Sequence, residues 1–342
     1  TLGAGATSTQ TTSPMGWQKI LDLPRQINAL VVDPTNPQVL YAATGDYAGS
    51  GSGVYKSEDA GLTWQLAATG LPNESVTALA FSYDNPATLY AMAGARGDVF
   101  VTTDGAANWS FIGDTQLFGG YERLLRADPR NPHVLFALAR SDAVVRSQDG
   151  GHTWQPIGEG LPGDEQATFA LSLAIDPSDT NVIYVGTGGF VGQGQGVYKS
   201  TDGGDTWSAA NRRMLDYRIT ALAVHPIQTG TVYAGSDNGE LFKSTDGGQT
   251  WEELTEALPV QMSDHPTIQD IIIHPTTPET VYLLVNDAGI VVSADGGDKW
   301  RLLGQPSQFS YTSFTAMAIS FNTEPILFVG IEGEGGWRYA PF

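Results

Sequence analysis

Residues 196–207 read GVYKSTDGGDTW, and the last eight letters of this stretch return in related form five more times along the chain. All six octets place a Ser or Thr first, an Asp third and a Trp last. They are SEDAGLTW (57–64), TTDGAANW (102–109), SQDGGHTW (147–154), STDGGDTW (200–207), STDGGQTW (244–251) and SADGGDKW (293–300). Six copies in one register indicate an internal structural repeat.

The spacing of the tryptophans gives the length of that repeat. The eight tryptophans stand at positions 17, 64, 109, 154, 207, 251, 300 and 337, and most intervals lie between 44 and 53 residues. A unit of that length is typical of one four-stranded blade of a β-propeller. One repeat contains four runs rich in β-branched and aromatic residues, VTALAFS (76–82), TLYAMA (88–93), DVFVTT (98–103) and NWSFIG (108–113). Such runs favour strands, here named a to d from the centre outward.

The two ends of the chain predict how the ring closes. The segment WQKILDL (17–23) reads as a strand d without its own a, b and c. The C-terminal runs FTAMAISF (314–321), ILFVGIEG (326–333) and GWRYAPF (336–342) read as a, b and c without a d. Pairing the two would remove exposed sheet edges. The sequence therefore predicts an all-β fold, a seven-bladed β-propeller of four-stranded blades over residues 17–342, closed by strand 17–23. Residues 1–16 are expected to form a flexible Ser/Thr/Gly-rich leader.

Composition limits the classes of partner. The chain has 342 residues, with 17 basic against 37 acidic side chains and a net charge of −20. This charge repels phosphate backbones and argues against nucleic acid as a partner. The acidity favours solubility, with a cationic partner or a divalent metal as the alternative. There are no cysteines, which excludes thiol chemistry, and no segment is apolar enough to span a bilayer. We predict no cofactor and no metal site, and leave open a lipid anchor or association with a membrane complex.

The Asp of each octet has a structural interpretation. Its carboxylate can accept backbone N–H groups of the c–d hairpin, and the glycines that follow permit positive φ. The spacing lacks the alternating oxygen ligands of a calcium loop. The residues predicted to be structural are Asp59, Asp104, Asp149, Asp202, Asp246 and Asp295, with Trp64, Trp109, Trp154, Trp207, Trp251 and Trp300.

On these octets the chain resembles the Asp-box (bacterial neuraminidase) repeat propellers. The phrases ALVVDPTNPQVLYAATG (29–45) and GVYKSTDGGDTW are similar to blades of xyloglucanase-type glycosidases, and also to sortilin-type receptors and the photosystem II assembly-factor propellers. These relatives share a fold and differ in activity, so the resemblance implies architecture and leaves function open.

A comparison of the blades with one another suggests which face carries function. The a–b turns and the Asp boxes are nearly uniform and share one face, called here the plain face. The b–c and d–a connections vary and share the other, called the loop face, where binding is expected. The candidate binding residues are Tyr47, Arg96, Phe118, Tyr121, Arg123, Arg126, Arg140, Phe190, Arg213, Tyr217, Arg218, Asp270 and Tyr311. Ordinary solvated loops are the alternative.

Two of these residues interrupt columns of strand a that are otherwise small or apolar. Arg126 stands in the column of Val31 and Ala80, and Asp270 in the column of Ala29 and Ala78. Charges are rarely placed near a crowded axis unless they are paired or used. The two residues lie three blades apart, which argues against a direct ion pair. A hydrated structural role and contact with a ligand both remain open.

Catalysis has weaker support in the sequence. The arginine cluster and the Tyr-Glu pair of sialidases are not recognisable. Asp46, in the b–c loop of the first blade, resembles one carboxylate of xyloglucanases, which use an acid and a base on two propellers. The sequence therefore predicts a non-catalytic, extracytoplasmic binding or scaffolding propeller for a protein or a polysaccharide, for instance as an assembly factor. A xyloglucanase-like glycoside hydrolase is the alternative.

Overall fold

The computed structural model describes residues 16–22, 26–45, 53–94, 96–116, 123–139, 141–162, 168–189, 194–212, 214, 216–259, 266–304, 313–321 and 325–340. These residues form seven separate four-stranded antiparallel sheets. The predicted seven-bladed β-propeller is thereby confirmed. Besides strands, the described ranges contain a 3₁₀ turn at Thr255–Ala257. None of their helical segments is long and apolar enough to cross a membrane. The leader expected at residues 1–16 lies outside the described residues except for Gly16.

The strands occupy equivalent places in each blade. Strands a are β2 (Gln26–Val32), β6 (Val76–Phe81), β10 (Arg123–Ala127), β14 (Thr168–Ile175), β18 (Ile219–Val224), β22 (Ile268–Ile273) and β26 (Phe314–Ser320). Strands b are β3 (Leu40–Gly45), β7 (Leu89–Ala93), β11 (Leu135–Ala139), β15 (Ile183–Gly189), β19 (Val232–Ser236), β23 (Val281–Val285) and β27 (Ile326–Ile331). Strands c are β4 (Gly53–Ser57), β8 (Asp98–Thr102), β12 (Ser141–Ser147), β16 (Gly196–Ser200), β20 (Leu241–Ser244), β24 (Gly289–Ser293) and β28 (Gly335–Tyr339). Strands d are β5 (Gln65–Leu66), β9 (Ser110–Asp114), β13 (Gln155–Pro156), β17 (Ser208–Ala209), β21 (Glu252–Glu253), β25 (Arg301–Gly304) and β1 (Trp17–Leu21).

The ring closes as the ends of the sequence predict. Strand β1 pairs antiparallel with β28, with Trp17 opposite Tyr339 and Lys19 opposite Trp337. Both tryptophan side chains are buried in the core of the last blade. The observed strand ends at Leu21, two residues short of the predicted 17–23. Closure therefore buries two large aromatic side chains and satisfies the edge of β28.

The core lies between neighbouring blades. One position of strand b is aromatic in all seven blades and buried in each, namely Tyr41, Tyr90, Phe136, Tyr184, Tyr233, Tyr282 and Phe328. Each aromatic pairs in register with the strand-a column that contains Val31 and Arg126. The core clusters combine residues of adjacent blades, such as Tyr41 of the first with Phe100 of the second. The blades therefore stabilise one another, as stacked sheets do.

Most strands a carry an irregularity near their start. Six of the seven a–b pairs shift register there, for example between Ile27 and Ala29 in β2 and between Ile219 and Ala221 in β18. The pairing of β10 with β11 shows no such shift over its described residues. A bulge of this kind places one additional side chain outside the regular alternation. The bulge residues of β2 and β18 are Asn28 and Thr220, and both line the central channel.

Candidate functional site

The Asp boxes form a repeated hydrogen-bonded turn. In the third blade Asp149 Oδ1 accepts the N–H of Thr153, and Asp149 Oδ2 accepts the Thr153 hydroxyl at 2.6 Å. The Ser147 hydroxyl donates to the same carboxylate and accepts the N–H of Gly151. The Thr153 hydroxyl and N–H lower the pKa of Asp149 to about 2. The carboxylate is thus ionised and engaged in holding the hairpin.

A second contact links each of several boxes to the preceding blade. The Nζ of Lys199, on β16, donates to the carbonyl of Gly247 in the next Asp box at 3.1 Å and lies 5.3 Å from the Tyr184 ring. Lys243 makes the same contact with the carbonyl of Gly296 at 2.7 Å. The sequence signal was a basic residue directly before the box, as in GVYKS. The sequence alone does not predict this contact, because the lysine and the carbonyl that it bonds belong to different repeats.

The a–b turns of the plain face are also internally satisfied. Asp33 Oδ1 accepts the N–H groups of Thr35 and Asn36. In the fifth blade His225 takes the place of the Asp, and its Nδ1 accepts the N–H of Gln228 at 2.8 Å. His274 does the same in the sixth blade with Thr277. The Asp and His side chains of these turns therefore stabilise the turns themselves.

The central channel forms a cavity among the described residues. It has a volume of about 620 Å³, and strands a of all seven blades line it. Several polar residues line it where strands a begin, at the loop face, among them Gln26, Asn28, Thr77, Thr220 and Gln269. Because a strand a begins where the preceding d–a connection ends, the channel mouth opens among the variable loops.

Some of these polar groups also connect blades across the channel wall. Asn28 Nδ2 donates to the carbonyl of Val76 in the next blade at 2.8 Å. Thr220 Oγ1 donates to the carbonyl of Ile268 at 2.7 Å. The donors are thereby used, while the Asn28 Oδ1 and the Thr220 hydroxyl oxygen retain acceptor capacity.

Arg126 and Asp270 both line this channel. Arg126 is exposed to it and donates a hydrogen bond to the adjacent carbonyl of Leu125 at 3.2 Å. Asp270 is half-buried and accepts the N–H of Ile271 at 2.9 Å. Burial raises the pKa of Asp270, and the positive charge of Arg126 opposes that rise. The channel thus holds opposite charges that interact through space.

A third charged group stands at the channel mouth. Arg218 forms a salt bridge with Asp237 at 3.1 Å, and Asp237 lies in the b–c turn of the same blade. Burial raises the pKa of Asp237 against the influence of Arg218. The Nε of Arg218 is buried and has no acceptor among the described residues. The neighbouring Tyr217 ring packs on Phe242 with centroids 5.0 Å apart, so its role in the described structure is packing.

The remaining predicted residues divide into two groups. Arg96 is exposed in a b–c turn away from the channel, and Arg123 belongs to β10. The others lie outside the described residues: Asp46, Tyr47, Phe118, Tyr121, Arg140, Phe190, Arg213 and Tyr311. The structure therefore brings together Arg126, Arg218 and Asp270 at one channel. Within the described ranges it shows no group of three His, Asp or Glu side chains placed to hold a metal.

Comparisons with known proteins agree on the class of fold. A profile of the Sortilin-Vps10 family (sortilin, neurotensin receptor 3) matches residues 195–324. The chain is 26% identical to a xyloglucanase of Paenibacillus sp over 62% of this chain and 19% of that protein. It is 33% identical to the xyloglucanase Xgh74A of Acetivibrio thermocellus over 24% of this chain and 10% of that protein. The chain thus spans less than a fifth of the length of these relatives.

Solved structures give the same architecture over nearly the whole chain. A structure of YCF48 bound to D1 peptide superposes with a TM-score of 0.69 at 17% identity, covering 96% of this chain and 97% of that one. The GH74 xyloglucanase of Xanthomonas campestris gives a TM-score of 0.73 at 18% identity, covering 95% of this chain and 53% of that one. The protein is a seven-bladed β-propeller of the Asp-box type. Its fold is similar both to that of YCF48 and to that of the GH74 xyloglucanases.

Proposed function

We propose that this protein is a non-catalytic binding propeller that holds a segment of a protein partner at the loop face, over the mouth of its channel. The observation that carries the proposal is the charged and polar channel, which is lined by Arg126, Arg218 and Asp270 together with amide and hydroxyl groups from several blades. A small number of precisely placed polar groups on a rigid concave scaffold is typical of ligand sites.

The likeness to YCF48 bound to a D1 peptide supports a peptide as the ligand. An assembly factor or an accessory subunit of a membrane complex is the form of this function that we favour, in an extracytoplasmic location. We infer the extracytoplasmic location from the sequence similarity to xyloglucanases. Cell fractionation with an antibody tests it, and recovery in the cytoplasmic fraction would contradict it.

The test of the binding function compares the two faces of the ring. The purified chain is immobilised, incubated with detergent-solubilised native envelope, and its captured proteins are identified by mass spectrometry. We expect a partner that is lost on Tyr121→Ala and on Arg218→Gln, which changes a charge at the channel mouth. The matched control is Tyr83→Ala, which removes an aromatic side chain that is 64% exposed on the plain face. Equal capture by all variants, or capture by none including the unchanged chain, contradicts the proposal.

A glycoside hydrolase of xyloglucanase type is the second candidate, and the sequence identity to xyloglucanases favours it. Two carboxylates flanking the scissile bond are required for that chemistry. Asp46 is the candidate for one of them. Incubation with xyloglucan and measurement of released reducing sugar decides: release that Asp46→Ala abolishes would establish the enzyme.

A further inference from the structure

We propose, building on the function above, that the channel is a bipolar subsite: it takes a part of the partner that carries a carboxylate and, about two residues away, a basic side chain. The carboxylate meets Arg126 and the basic group meets Asp270. The class of ligand is therefore a peptide segment with neighbouring opposite charges.

The first support is the isolation of the two charges. At the level of Arg126 the other blades present Val31, Ala80, Ala174, Ala223, Ile272 and Ala318. At the level of Asp270 they present Ala29, Ala78, Leu124, Ser172, Ala221 and Ala316. Each level thus offers one charge on an otherwise uncharged ring.

The second support is that neither charge has a salt-bridge partner among the described residues. In the part of the chain that the structure describes, Arg126 hydrogen-bonds only the carbonyl next to it, and Asp270 only the N–H next to it. They form no salt bridge with each other. Asp270 is half-buried, and a charge withdrawn from water is normally paired, since desolvation is costly. Arg218 shows the contrast, because it lies at the same mouth and has Asp237 as its partner.

The third support is the vertical offset of the two charges. Arg126 pairs with Phe136, and the equivalent pair in the sixth blade is Ile272 with Tyr282. Asp270 pairs instead with Leu284, two residues further along the same strand b. Asp270 thus lies two residues closer to the loop face, which is about 7 Å along a strand. An extended peptide advances by the same distance over two residues. A ligand that enters from the loop face would place its anionic group deeper and its cationic group nearer the mouth.

The channel wall on the loop-face side of Asp270 suits a peptide backbone. Asn28 and Thr220 retain acceptor oxygens after bonding the next blade, and Gln269 is exposed in the channel. Acceptors and amides at the channel wall match the N–H and C=O groups of an extended segment. An apolar ligand would leave these groups unsatisfied.

Four short synthetic peptides test the proposal by isothermal titration calorimetry. The first, acetyl-GSKGEG-amide, carries both charges on side chains. The second replaces its Lys by Gln, and the third replaces its Glu by Gln. The fourth, acetyl-GSKGG with a free carboxyl end, supplies the carboxylate as a chain terminus. We expect the bipolar peptide to bind on the order of tenfold more tightly than either singly charged peptide. The fourth peptide shows whether a side chain or a chain end provides the carboxylate.

Variants of the chain assign each charge to its residue. Asp270→Asn should abolish the preference for Lys over Gln, and Arg126→Gln the preference for Glu over Gln. The matched controls are Asp298→Asn and Arg301→Gln, which make the same charge changes at exposed positions outside the channel. Thermal unfolding of each variant confirms that it is folded.

The outcomes separate this proposal from the binding function. Equal binding of the four peptides, or preferences that survive both channel variants, overturns the bipolar subsite. The natural partner captured from the envelope gives the second measurement. If Asp270→Asn and Arg126→Gln capture it as well as the unchanged chain does, the loop face binds the partner while the subsite proposal is wrong.

Discussion

The Asp box depends on backbone conformation as well as on hydrogen bonds. The two residues after the Asp adopt positive φ, as in Gly150 at 73° and Gly151 at 96°. Ala60 occupies the position of Gly150 in the first blade, with φ at 55°. L residues are strained in this region by about 1–2 kcal/mol. The glycines of the box are therefore a backbone requirement that most blades satisfy.

Gly150→Ala isolates the backbone strain. A Cβ at this position would meet only His133 Nδ1, at 4.0 Å, so the change adds strain without a clash. We expect it to lower the free energy of unfolding by about 1 kcal/mol, measured by urea denaturation. Gly158→Ala is the control, because Gly158 has ordinary φ and open space around it. It should be neutral or stabilise slightly, and equal destabilisation by both changes would contradict the explanation.

The box carboxylates also predict a response to acid. Hydrogen bonds from Asn108 and Thr250 lower the pKa of Asp104 and of Asp246 to about 2, below the usual 3.8. A lowered pKa contributes stability above pH 3.8 that is lost as the pH falls toward 2. We therefore expect the urea midpoint to fall over that range. Asp246→Asn should flatten the decrease, and an unchanged slope would contradict the assignment.

At the scale of the element, the a–b turn shows how two residue types perform one task. Asp33 and His225 both accept the N–H groups that follow them in the turn. The carboxylate accepts over most of the pH range, whereas the imidazole accepts only when it is neutral. Burial lowers the pKa of His225, with Glu279 opposing and Lys243 reinforcing that effect.

His225→Asp tests this difference between turns. A histidine with a lowered pKa is protonated in the unfolded chain first, so stability is lost as the pH falls below 6.5 toward the folded pKa. We expect the urea midpoint to fall as the pH drops below 6.5, and His225→Asp to reduce that fall. His274 remains and accounts for the residual slope, because burial lowers its pKa as well. The double change with His274→Asp should remove most of it, and an undiminished slope would contradict the assignment.

Elements also show where sequence reasoning stops. The octets predict the c–d hairpins because Ser147 and Thr153 both bond Asp149 within a stretch of seven residues. The bulges at Asn28 and Thr220 were not predictable, since a register shift depends on the partner strand. The Lys199 contact with Gly247 was missed for a similar reason, because it spans 48 residues.

At the scale of the whole molecule, the closure of the ring of blades forms the central channel. The period of the tryptophans and the incomplete repeats at the two ends were sufficient to predict seven blades and the pairing of β1 with β28. The site was predicted less completely. The columns of strand a identify Arg126 and Asp270 as exceptions, yet the salt bridge of Arg218 with Asp237 depends on how a turn folds over the mouth.

Removal of residues 17–21 tests the contribution of closure to stability. The deletion exposes the edge of β28 and removes the buried Trp17 side chain. Loss of one large buried aromatic alone costs about 3–5 kcal/mol. We expect a lower free energy of unfolding and self-association by size-exclusion chromatography. A deletion variant that is monomeric and equally stable would contradict the role given to this strand.

The central claim is a closed ring, and its seam can be measured in solution because the chain contains no cysteine. Lys19 bridges Asp22 on the N-terminal side and Glu334 on the C-terminal side, which places these two carboxylates close together. Spin labels on the double variant Asp22→Cys/Glu334→Cys should show strong dipolar broadening of the electron paramagnetic resonance spectrum, which urea abolishes. Narrow lines in the folded protein, identical to the sum of the two single variants, would contradict the closed ring.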